Sequence, residues 1–167
     1  MLSIYNFLKV KLCYRTYWKQ WLAFLAICFL VFACSDDSNT TNVEELQIGD
    51  IHEGGIIFYL DESGYSGRVA SVGDLGIMNR GEGIAAAEDF IFDGYSDWYL
   101  PDIGTLGAMY NTIGQGADNI GDFADGKYWS TTEQSGGYTW VFNFGTGESE
   151  SGWNPVLNFR IRAVRSF

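Results

Sequence analysis

The chain carries one histidine, His52, followed directly by Glu53 in the stretch HEGGI. A zinc hydrolase helix places two histidines one turn apart with a glutamate between them, and a second histidine is missing here. Nucleophilic catalysis needs a serine, cysteine or lysine beside an activating base. No cysteine follows Cys34, so His52 reads as a surface residue at the entrance of a domain. Carboxylates are plentiful, with 21 Asp and Glu in the chain. Two opposed carboxylates would serve glycoside hydrolysis. Among 21 acids some pair always exists, so a carboxylate-based hydrolase stays an alternative that composition cannot select.

Binding chemistry has a sharper signal. Trp153 stands in GTGESESGWNP (145–155), where little else is apolar. An isolated aromatic in a polar segment can stack on a sugar ring or dock a protein. Glu148, Glu150 and Asn154 surround it in sequence and could hydrogen-bond the same ligand. A second polar segment, IGQGADNIGDFADG (113–126), brings Asp118 and Asp122. Long loops in small domains are often functional. Asp118, Asn119, Asp122 and Asp125 lack EF-hand spacing, so no metal is expected there, and no cofactor is implied.

The amino-terminal residues bear on where such binding would occur. Lys9, Lys11, Arg15 and Lys19 precede an apolar run, Trp21–Phe32, with no acid before it. The run is too short to span a bilayer, which takes about 20 apolar residues. It fits a secretory h-region behind a positive n-region. Val31-Phe32-Ala33-Cys34 resembles the bacterial lipobox, in which the cysteine is acylated and the chain is cut just before it. Residues 1–33 then form a lipoprotein signal peptide, with Cys34 the lipid attachment site. An uncut signal anchor is the alternative. Ser35-Asp36-Asp37 resembles the acidic export signal of Bacteroidota surface lipoproteins, or else begins a solvated linker. The expected location is the outer membrane, lipid-anchored, at the cell surface.

Residues 34–47 read as a flexible tether of Ser, Asp, Asn, Thr and Glu, with a reach of roughly 20 Å for a dozen residues. After Cys34 six cations (Arg68, Arg80, Lys127, Arg160, Arg162 and Arg165) face 21 acids, a net charge of −15 by difference. That field repels nucleic acid, anionic lipid and sulfated polysaccharide. Nucleic acid is therefore excluded as a partner. The expected partners are the membrane, through the lipid, and an extracellular glycan or protein. With no disulfide available, the core must suffice alone. Trp98, Trp129 and Trp140 are expected in it.

The elements that would position these residues follow from local pattern. GGIIFYLDESGYSGRVAS (54–71) predicts a strand, a turn and a strand. GEGIAAAEDFIF (81–92) predicts a helix. DIGTLGAMY (102–110) predicts a second, capped by Asp102, with Ile103, Leu106, Met109 and Tyr110 on one face. Residues 127–133, 138–147 and 158–167 predict strands. In the second of these Trp140, Phe142 and Phe144 share a face. In the third Phe159, Ile161 and Ala163 lie opposite Arg160 and Arg162. Residues 145–157 are expected to form a loop. Glu133 and the carboxy-terminal arginines could pair within the fold. Helices grouped between strands indicate α+β.

IGDIHEGGIIFYLDE, GYSDWYLPDIGTLGAMY, KYWSTTE, TWVFNFGTG and RIRAVRSF stand in the order seen in the Legionella collagen-like protein C-terminal domain family, which the chain resembles over about residues 48–167. The resemblance implies a C-type-lectin-like fold of antiparallel sheets with two short helices and paired amino- and carboxy-terminal strands, GGIIFYL against RIRAVRSF. Here the stretch 71–92 is shorter than in typical members. Lectins of this fold bind sugar through calcium with Glu-Pro-Asn or Gln-Pro-Asp and a later Trp-Asn-Asp. Trp153-Asn154 supplies only part of the last. The reading is thus a non-catalytic, adhesin-like lipoprotein domain, with a structural envelope or surface-assembly component as the alternative.

Overall fold

The computed structural model describes residues 45–167. Cys34, the apolar run before it and most of the tether lie outside the described residues. The first strands of the described part form a tight hairpin. β1 (Ile51–His52) and β2 (Gly55–Leu60) pair antiparallel. Glu53 and Gly54 between them have φ of 45° and 80°, the left-handed pair that a two-residue hairpin turn requires. A second turn leads to β3 (Gly67–Ser71). There the Asp61 carboxylate accepts the backbone N–H groups of Ser63 and Gly64.

The remaining elements are β4 (Gly76–Met78), α1 (Arg80–Glu88), α2 (Ile103–Thr112), β5 (Lys127–Gln134), β6 (Tyr138–Asn143), β7 (Glu148–Trp153), β8 (Phe159–Ile161) and β9 (Val164–Ser166). The two α-helices among the described residues lie between strands in chain order, and the fold is α+β. One sheet runs β1-β2-β3-β9, the other β4-β8-β5-β6-β7. All pairs are antiparallel except β5 with β8, which run parallel at Tyr128 and Arg160.

The amino-terminal hairpin and the last strand share a sheet, but not through the expected partners. Both edges of β2 are taken, by β1 and β3, so β9 pairs with β3 instead, Ala70 opposite Val164. The stretch 158–167 is also not one strand. It leaves one sheet after Ile161 and enters the other at Val164.

α1 is opened by a full capping box: Asn79 accepts the Glu82 N–H, and Glu82 accepts the Asn79 N–H. It stops at Glu88 rather than continuing to Phe92. Asp89 caps it, and Phe90 turns to meet Trp98 edge-on and stack on Phe92. α2 starts where expected, with Asp102 Oδ1 accepting the Thr105 N–H at 2.7 Å.

Two cores form, and β2 serves both. Ile56 and Phe58 join Leu106, Met109, Ile113, Phe123, Tyr128, Phe142 and Phe144 beneath α2. Ile57 joins Val69, Ala87, Trp98, Trp129, Val141 and Ile161 beneath α1. This double burial is why β2 reads as a continuous apolar run instead of alternating. Trp98 and Trp129 are buried as expected. Trp140 is only half-buried and belongs to neither core. Phe142 and Phe144 pack under α2, but β6 ends at Asn143, and Val141 on the opposite face is buried too.

Candidate functional site

Trp153 is not a loop residue. It closes β7, the outer strand of its sheet, opposite Thr139. The expected loop 145–157 is therefore strand over Glu148–Trp153 and turn on either side, because Glu148, Ser149 and Glu150 find partners along β6. In register, Lys127, Asn143 and Glu148 are opposite one another across β5, β6 and β7, and Trp129, Val141 and Glu150 likewise. These two rows are two residues apart, so all six share one face. α1 packs chiefly on β4, β5 and β8 of that sheet. The β6–β7 end is left with Glu148 exposed and Glu150, Asn143 and Trp153 half-buried.

These side chains form a bonded set. The Lys127 ammonium donates to Glu150 Oε2 and stands 4.5 Å over the Trp153 ring. Asn143 Nδ2 donates to Glu150 Oε1 at 2.9 Å. Phe159 supports the indole edge-on at 5.2 Å. The Lys127 bond, then the Asn143 bond, hold the Glu150 carboxyl below its ordinary range. The result is an oriented aromatic beside a carboxylate, an amide and an ammonium. Such groups can hydrogen-bond hydroxyls or peptide edges while the indole covers an apolar face.

The other expected site residues lie elsewhere. Asn154 is exposed and its Oδ1 accepts the Val156 N–H, closing a local turn. Asp118 and Asp122 are exposed on the segment after α2. That segment is pinned by Phe123, which packs on Phe144 and Tyr128. Asn119 bonds both the N–H and the carbonyl of Phe123. No hydrogen bond or ion pair among the described residues joins Asp118 or Asp122 to Trp153. Among the described residues no three of His, Cys, Asp and Glu gather as a group that could hold a metal. His52 faces Glu53 at 3.9 Å and the Phe167 ring at 4.6 Å. Lys127 and Asn143 are additions that sequence reading missed. Only the strand register reveals them, since both lie in segments expected to be scaffold strands.

Most other cations are spent on the scaffold. Arg162 is fully buried and lies 2.9 Å from Asp74 Oδ1, with Nη1 donating to the Ser71 carbonyl at 2.8 Å. Arg160 and the Tyr128 hydroxyl donate to Asp74 Oδ2 at 3.3 and 3.0 Å. Burial first, then the Asp74 charge, push the Tyr128 phenol up to about 12. Arg165 donates to Asp97 at 2.6 Å and Glu53 at 2.8 Å beneath Tyr95. Arg80 meets Glu133 at 3.4 Å, so Glu133 pairs with a helix arginine and not with the carboxy-terminal ones. No protein-family model matches the chain, and no curated protein matches it significantly.

Proposed function

We propose that this chain is an exported lipoprotein, acylated at Cys34, whose C-type-lectin-like domain binds an extracellular glycan or protein without catalysis. The observation that carries the reading is the Trp153 face. A half-buried indole is held by Phe159 and Lys127 beside Glu150 and Asn143, on the face of the β6–β7 end opposite the one that α2 packs against. The five family-like stretches support the fold assignment. So does the sharing of one sheet by the first hairpin and the last strand.

The test uses residues 35–167 on arrays of glycans and matrix proteins, with calcium and with chelator. Saturable binding in both conditions, lost in Trp153→Ala, is the expected result. Binding that vanishes with chelator, or that survives Trp153→Ala, overturns the site. No binding to any member of either array overturns the adhesin-like role. For the anchor, labelled fatty acid should enter the wild-type chain and not the Cys34→Ser variant.

A further inference from the structure

A second surface lies where α1 ends. Glu88 is its last residue and Asp89 its cap, and its last turn holds no basic residue. A helix carboxy terminus carries partial negative charge and favours cations. Here it meets acids instead, and Asp93 follows. Glu88, Asp89 and Asp93 are exposed, and none is in an ion pair among the described residues. Between them Ile91 is 70% exposed and Phe92 41% exposed. Local rules are thus broken twice in one place, by acids at the wrong helix end and by apolar side chains left in water. Such conflicts collect at functional positions.

The surface is rigidly presented. Phe92 and Tyr95 exchange both backbone hydrogen bonds at 3.0 Å. Phe90 stacks on Phe92 and meets Trp98 edge-on. Arg165 fixes the segment from below through Asp97 and Tyr95. The β1–β2 turn abuts it closely enough that a Cβ at Gly54 would lie 3.1 Å from that of Asp93. Little ordering would be needed on binding.

We infer that Glu88–Asp93 is a docking surface for a cationic, amphipathic segment of a partner protein, one that sets Lys or Arg side chains beside apolar ones. Charge complementarity selects this occupant. A second copy of the chain would bring the same negative surface. Of the domain's six cations, Arg80, Lys127, Arg160, Arg162 and Arg165 are already paired with carboxylates, and Arg68 donates to Thr105 beside the Tyr59 ring, so a second copy would offer a single cation against this whole acidic surface. Anionic lipid is repelled. The site is separate from the Trp153 face and does not depend on the role proposed for it.

The test uses residues 35–167, which contain both sheets and both cores. The probe is a short synthetic amphipathic helix of Lys and Leu, compared with oligolysine of equal charge. Amide chemical shifts should move at residues 88–97 and at the neighbouring 53–54 turn. Ile91→Ser with Phe92→Ser should weaken binding by roughly tenfold or more. Glu88→Gln with Asp89→Asn should flatten its salt dependence. Both pairs replace exposed side chains, and the amide spectrum reports folding directly. Shifts spread over the whole acidic surface, equal binding of oligolysine, or unchanged affinity in the Ser variant would overturn the inference.

Discussion

The Lys127 ammonium sits 4.5 Å above the indole of Trp153, two strands away, while bonded to the Glu150 carboxylate on the same strand as the tryptophan. One cation thereby orders both the aromatic and the acid of the candidate site. Replacing it tests that ordering directly. Lys127→Met should cost only about 1 kcal/mol, since the pair is partly solvated, with a similar small loss from the ring contact. Its larger effect should be a shifted tryptophan emission and weaker ligand binding. Unchanged emission would mean that Phe159 alone sets the ring.

Acid should loosen two regions together. Glu150 and Asp97 have carboxyls held below their ordinary values of 4.5 and 3.8, first through the bonds to Lys127 and Arg165 respectively. A depressed carboxyl adds stability that is fully present above its unfolded value. That stability is lost as the pH falls through the lower folded value. Urea midpoints should therefore drop from about pH 4.5 downward. Glu150→Gln and Asp97→Asn should each make the drop shallower. A variant with the wild-type slope would show that its carboxylate contributes nothing to this window.

Asp74 is the counter-ion of the buried Arg162 guanidinium. In Asp74→Ala, Arg162 keeps its bonds to the Ser71 and Asp122 carbonyls but loses its counter-charge. A loss of roughly 3–5 kcal/mol is expected. Asp74→Asn, which keeps an acceptor, should cost less, about 1–3 kcal/mol. Denaturant unfolding separates the two, and equal costs would argue that charge is irrelevant there.

Gly83 lies inside α1, where alanine would normally add about 1 kcal/mol of helix stability. A Cβ at this position would lie 2.1 Å from Cδ1 of the buried Ile161. Gly83→Ala should instead destabilise by roughly 1–3 kcal/mol. Ile161→Val removes that methyl. Alone it should cost about 0.5–1.5 kcal/mol, but in the Gly83→Ala background it should restore stability. Additive losses in the double variant would contradict the contact.

What the sequence shows well is local. Asp102 caps α2 as its position suggests, and Leu106 and Met109 are buried on one face. The hairpin of β2 and β3 follows from its turn residues. The failures are non-local. GTGESESGW has the composition of a loop, yet Glu148–Trp153 within it becomes β7 because β6 offers an edge to pair with. RIRAVRSF looks like one strand and is divided between two sheets. Lys127 and Asn143 reach the candidate site only through register, which no single segment encodes. Likewise nothing near Asp74 in sequence announces that Arg160 and Arg162 will converge on it.

That division of the last stretch has a kinetic side. β8 is an inner strand of one sheet, between β4 and β5, and β9 closes the other beside β3. Their partners are distant in sequence, Ile161 with Gly76 and Val164 with Ala70. Contacts of such long span form slowly. A chain that emerges amino end first, from a ribosome or through a membrane pore, holds two open sheets until Phe159–Ser166 arrives. The domain is thus built like a clasp whose final segment engages both halves at once, remaining threadable until then and locked afterwards.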